Sequence, residues 1–189
     1  MERSHPFWRA PSFTVTPSGS GRGYTVEVKD QAGATLATAD AEGTIRDRSG
    51  DVLLIAPLRW QDRGDRPTDA GIEVADAQGR PLGSGRVVKY GVGPRARKAT
   101  MTIVDPQGGE TARLEPRDKR GEQLAVAANG AELATVAVAQ VKSGFMRKSR
   151  VYTVDLSGEI PDELRPLLLA ASVRYDALLN AVVAASARD

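Results

Sequence analysis

Cysteine is absent from this 189-residue chain, and histidine occurs once, as His5. The first absence removes any disulfide framework and any thiolate zinc site. The second leaves too few ligands for a histidine-based metal site and no second partner for a histidine-dependent triad. Aromatic residues make up only 5% of the sequence, so a core must be assembled mainly from Val, Leu, Ile and Ala. Neither sign of charge dominates: 26 Lys and Arg stand against 24 Asp and Glu, a formal net charge of +2. That excess is too small to indicate nucleic acid as a partner, so any such claim rests on local clusters. The first thirteen residues, MERSHPFWRAPSF, lack the apolar run of a secretory signal. Missing too are G-x-S-x-G and G-x-x-x-x-G-K-[ST], and Gly91-x-Gly93 has no third glycine at dinucleotide spacing. These absences predict a protein that is not an enzyme and needs neither cofactor nor metal. A chain of this length suits one domain, burying roughly 70% of its unfolded surface.

The one long helical signal is Pro166 to Ala185, PLLLAASVRYDALLNAVVAA. Ser172, Asp176, Asn180 and Ser186 form a narrow polar stripe, joined by Arg165, and apolar residues fill most of the remaining circumference. Such a helix is buried either in protein or in lipid. About 20 residues suffice to span a bilayer. Arg174 and Asp176 lie at its centre, however, where each costs about 2.5–3.5 kcal/mol on insertion scales. Two positions apart, they point to different sides of the helix and do not pair with each other. Burial in protein is the expectation, with no transmembrane segment and with strand partners that use both charges to set register.

Everything before that helix reads as short strands. Tyr24, Val26 and Val28 alternate with Thr25, Glu27 and Lys29. The punctuation recurs: Asp30-Gln-Ala-Gly33, Asp47-Arg-Ser-Gly50, Asp76-Ala-Gln-Gly79, Asp105-Pro-Gln-Gly108, Asp118-Lys-Arg-Gly121, and the pair Asn129-Gly130. In each, Asp can bond its own downstream backbone and Gly can take positive φ where the chain reverses. Calcium is a poor reading of these loops, since each supplies one or two acids against the six to eight oxygens calcium takes. Strands are expected near 13–16, 24–29, 34–39, 44–46, 52–60, 71–74, 82–90, 99–104, 111–114, 122–127, 132–141 and 146–156. No helical inserts of βαβ type separate them, so the sheet should be antiparallel. About twelve strands are too many for an open sheet with bare edges. The fold class expected is therefore mainly β: a closed antiparallel barrel of about 12 strands around a central hydrophobic α-helix, residues 166–186, which fills a lumen too wide for side chains alone. Residues 12–187 form the single domain. Residues 1–11 are a flexible tail, or else Phe7-Trp8 cap one barrel mouth. Gln61–Ala70 and Gly91–Lys98 lack strand pattern and read as loops.

Short antiparallel strands with D-x-x-G turns, closed by a C-terminal apolar helix carrying Tyr175-Asp176 before Leu178-Leu179, resemble the Tubby C-terminal-like superfamily. The branches most similar are the phospholipid scramblase-like and LURP-one-related proteins, over Phe13 to Ala185. The resemblance implies a twelve-stranded barrel threaded by a hydrophobic helix.

Candidate binding residues are clusters of positive charge. Arg86, Lys89, Arg95, Arg97 and Lys98 fall within thirteen residues. The run from Gly85 is similar to the Tubby-domain G-[KR]-x-x segment whose basic residues meet phosphoinositide headgroups. That resemblance reaches Arg86 and Lys89; the other three are carried by charge. Arginine suits phosphate through its planar two-donor fork. A second patch, Lys142, Arg147, Lys148 and Arg150, brackets Gly144-Phe145-Met146 and suits an anionic membrane surface. The expected function is a non-enzymatic binding module, cytoplasmic and peripheral to the membrane, engaging anionic lipid headgroups or another phosphate-bearing partner. The alternatives are a structural or regulatory protein-interaction domain, through Gln61–Ala70 or the N-terminal tail, and a carrier of small hydrophobic ligands.

Overall fold

The structure is a computed structural model that describes residues 5–19, 21–59, 70–93, 96–143, 147–156 and 160–186. Thirteen strands follow a short helix α1 (Pro6–Arg9): β1 (Ser12–Ser18), β2 (Thr25–Asp30), β3 (Thr35–Ala39), β4 (Thr44–Arg46), β5 (Val52–Ile55), β6 (Leu58–Arg59), β7 (Gly71–Asp76), β8 (Pro81–Gly93), β9 (Ala96–Val104), β10 (Glu110–Pro116), β11 (Gln123–Ala128), β12 (Ala131–Ser143) and β13 (Arg147–Leu156). The chain closes with α2 (Arg165–Ser186). Apart from β5 and β6, which both pair with β7, strands that are neighbours in sequence pair antiparallel, and β1 pairs β13. The ring is thereby closed. β5 and β6 occupy one wall position, interrupted at Ala56-Pro57, so the barrel has twelve strands, and the expected fold class is the observed one.

The turns form as their residues dictate. In the β7–β8 turn, Asp76 Oδ1 accepts from the N–H groups of Gln78 and Arg80, both at 2.9 Å. Asp105 does the same for Gln107 at 2.9 Å and Gly109 at 2.7 Å. The Asp76 carboxyl, although its burial works the other way, is held below the usual carboxylate range by the bonds from Arg80 and Gln78. A sixth turn of this kind, Asp40-Ala-Glu-Gly43, links β3 to β4; Gly43 has φ +95° and sits under Ala56.

Because the barrel is a meander, successive turns alternate between its two ends. The lower end carries the β2–β3, β4–β5, β7–β8, β9–β10 and β11–β12 turns and the start of α2. The upper end carries the β3–β4 turn and receives the β8–β9 and β12–β13 hairpins. Inward positions alternate along each wall strand: Phe13 and Val15, Val26 and Val28, Met101 and Ile103, Tyr152 and Val154 are all buried. Many inward positions are Ala, including 37, 39, 99, 112 and 134. Small side chains leave the lumen wide enough for a helix roughly 10 Å across. α2 fills it, with Leu167, Leu168, Leu169, Val173, Leu178, Leu179 and Val182 buried, and runs closest to β7, β8 and β9.

Residues 5–11 correct the expectation of a flexible tail. Phe7 and Trp8 are buried and meet edge-on at 5.2 Å between ring centres. His5 caps α1 by accepting from the Phe7 N–H at 3.2 Å, and Arg165 at the start of α2 donates to the Ala10 carbonyl at 3.0 Å. Burial of two large apolar rings, with these hydrogen bonds, offsets the entropy lost in ordering the segment, and it closes the lower mouth. The loop expected at Gly91–Lys98 is corrected as well: Gly91–Gly93 and Ala96–Lys98 belong to β8 and β9, which pair from Ser84↔Val104 to Gly93↔Ala96, and residues 94–95 lie outside the described residues.

Candidate anion-binding face

The β8–β9 hairpin decides where the first basic cluster lies. Residues three apart on a strand ordinarily face opposite ways. A bulge between Val87 and Lys89 breaks that rule, for Arg86 stands opposite Thr102 while Lys89 stands opposite Thr100. The extra residue, Val88, absorbs the offset, and Arg86 and Lys89 share the outer face. Lys98, two residues from Thr100, joins them, its side chain lying across Gly91. The opposed pair Val87 and Met101 point inward and are buried. Arg86 also lines an open groove of about 380 Å³ with Ser84, Glu73, Arg59 and Asp105. Glu73 is taken by Arg59 at 3.1 Å. Among the described residues, Arg86, Lys89 and Lys98 have no carboxylate partner. Arg95 and the side chain of Arg97 lie outside the described residues.

The second cluster does not hold together in the same way. Arg150 opposes Gln140, two positions from the inward-facing Tyr152, and its charge acts on the hydroxyls of Tyr152 and Tyr175. It is a residue of the upper mouth and not of the outer surface. The physical reason is strand alternation: Arg150 has the parity of Tyr152. Lys142 and Lys148 are opposed across the hairpin, as are Ser143 and Arg147; the side chains of Lys142, Arg147 and Lys148 lie outside the described residues, as does the expected apolar tip at 144–146. Gln61–Asp69 and Trp60 lie outside them too.

Below that mouth lies a polar cluster built on α2. Asp176 accepts from the Tyr152 hydroxyl at 2.6 Å and from Asn180 Nδ2 at 2.9 Å. The Tyr175 hydroxyl donates to the Ala99 carbonyl at 3.0 Å and accepts from the Ala99 N–H at 3.2 Å. Arg174, 1% exposed, donates to the carbonyls of Asp40 and Ala41 at 3.0 and 3.1 Å. Each charge thus finds its own partner on the wall, Asp176 on a strand and Arg174 on the β3–β4 turn. Burial pushes Tyr175 up to about 12, and burial together with the Asp176 charge raises Tyr152 and Tyr24 further. Burial also lowers Arg174 from the usual guanidinium range, against the pull of Tyr24, Asp40 and Glu42. This cluster locks helix to barrel; no group of three or more metal-ligating side chains occurs among the described residues.

Sequence reasoning missed the Asp40–Gly43 turn and the bulge at Val88. The first repeats the D-x-x-G signal of the other turns and was legible. The second depends on pairing register, which no local pattern carries. Comparison with protein-family models, curated proteins and solved structures found no match.

Proposed function

We propose that this protein is a non-enzymatic binding module whose β8–β9 face engages a phosphate-bearing partner, most naturally an anionic phospholipid headgroup. The observation that carries this is the bulge at Val88, which sets Arg86 and Lys89 on one outer face beside Lys98, without carboxylate partners among the described residues. Their segment, Gly85–Val104, contains five basic residues and no acid. Arg86 offers a two-donor fork, and the two lysines add point charge, the combination that recognises phosphate. The resemblance to the Tubby C-terminal-like superfamily, in its scramblase-like and LURP-one-related branches, implies a module of this kind, and the proposal places it in the cytoplasm at the membrane periphery. α2 is long and apolar enough to cross a membrane by length and composition, yet it is mostly buried within the barrel. Its place in the lumen weighs against a hydrophobic-ligand carrier and favours contact with lipid from outside.

The test is flotation with anionic vesicles at ~0.15 M salt, where charges more than about 8 Å apart are screened. Wild-type protein should float, and Arg86→Glu/Lys89→Glu/Lys98→Glu should lose binding, at about 1 kcal/mol per charge removed. Unchanged flotation of the triple variant would remove this face from the account.

A further inference from the structure

Two hairpins outgrow the barrel at the same end. Among the described residues, pairing of β8 with β7 is last seen at Arg86↔Gly71, with the Val87 N–H still donating to the Ala70 carbonyl at 2.9 Å, and pairing of β9 with β10 at Met101↔Leu114, whereas the β8–β9 pair continues to Gly93↔Ala96. Likewise β12 leaves β11 at Ala137↔Gln123 and β13 leaves β1 at Tyr152↔Val15, while β12–β13 continues to Ser143↔Arg147. Both arms therefore project from the upper end. Among the described residues the exposed large hydrophobics are Val88 at 49%, Tyr90 at 37% and Val141 at 47%. All three sit on these arms. Scattered surface hydrophobics mean little; confinement to two parallel projections is a pattern.

Charge follows the same division. Residues 87–100 and 138–151 together hold eight Lys and Arg and no Asp or Glu, leaving 18 basic against 24 acidic residues for the rest of the chain. The arms are thus strongly positive on a body that is net negative, which orients the molecule toward an anionic surface. A polyanion such as nucleic acid would satisfy the charges and offer nothing to valine. The boundary between lipid headgroups and acyl chains satisfies both, and tyrosine, apolar in body and polar at its tip, suits that boundary.

From this we infer that the protein docks by its upper end to anionic membranes, with both arms laid against the surface and Val88, Tyr90 and Val141 dipping into the boundary between headgroups and acyl chains. The inference rests on the phosphate-binding reading above and adds to it the second arm, the apolar contact and the orientation.

The absence of native cysteine allows a clean experiment. Single variants Val88→Cys, Val141→Cys and Gln78→Cys, the last at the lower end, are labelled with an environment-sensitive fluorophore. They are then mixed with phosphatidylserine–phosphatidylcholine vesicles, with pure phosphatidylcholine vesicles, or with heparin. Labels at 88 and 141 should both shift to the blue and be quenched from the lipid phase, with phosphatidylserine only, and the label at 78 should not respond. Val88→Asn with Val141→Asn should lower vesicle affinity at least about tenfold at unchanged charge, a few buried methylenes' worth. If vesicles bind in a charge-dependent way while either label stays in water, or if heparin alone elicits a response, the docking by the upper end is wrong and the phosphate-binding face stands. If no salt-sensitive binding to vesicles or heparin occurs, both are wrong.

Discussion

Tyr24, Tyr152 and Tyr175 hold their hydroxyls in the barrel interior; Tyr152 donates to the Asp176 carboxylate, whose charge also acts on Tyr24. Ionising any of them places a second negative charge, or an unsolvated one, where water cannot reach. All three are raised above the ordinary value of 10.0, Tyr175 to about 12. Below pH ~10 both folded and unfolded chains keep these phenols neutral, and their contribution to stability is intact. Above it the unfolded chain ionises first, so stability falls as pH rises, at about 1.4 kcal/mol per pH unit for each of Tyr152 and Tyr175. In an alkaline titration, tyrosinate absorbance from these residues should appear together with loss of the β-sheet circular dichroism signal. Tyrosinate formation by all of them in a chain that keeps its native spectrum would contradict the interior cluster.

At the scale of elements, the turns set strand register and the bulge sets function. Gly33 and Gly43 both have positive φ, +84° and +95°, but only Gly43 is crowded: a Cβ there would lie 2.3 Å from the Ala56 carbonyl oxygen. Gly33→Ala should cost about 1–2 kcal/mol, the left-handed penalty alone. Gly43→Ala should cost about 1–3 kcal/mol more, because β5 must move away from the β3–β4 turn. Urea unfolding of the two variants distinguishes these outcomes, and equal losses would mean that the two turns are packed alike. The same contrast explains what was legible in the sequence. Asp and Gly at fixed spacing announce a reversal through local hydrogen bonds, so the strands and their order could be read from residues such as Asp76 and Gly79. Arg86 and Lys89 read as a basic cluster, but the face they share is set by the Val88 bulge, a matter of pairing between strands. For the same reason the inward turn of Arg150 was hidden until its register with Gln140 and Tyr152 was known.

For the molecule as a whole, the polar arms and the apolar helix answer to one arrangement. Twelve strands enclose a lumen that alanines keep wide, α2 occupies it, and runs of basic residues without acids fall on hairpins that project. The helix was legible because nothing else in the chain is apolar on so many sides, and closure followed from strand number. The plug made by Phe7 and Trp8 was only half legible, since two aromatics in a basic segment fit a tail as well as a cap. Everything proposed about membrane contact from outside depends on α2 being the core of the barrel. The most direct measurement is thermal unfolding of Leu168→Asp and Leu179→Asp, followed by circular dichroism. Both side chains are buried, at 1% and 2% exposure, and an unpaired carboxylate at either position costs several kcal/mol, a large part of the about 5–15 kcal/mol that holds a domain together. Both variants should lose the cooperative transition or melt far below the wild type; a variant that keeps the wild-type melting temperature would show that the helix is not the centre of the fold.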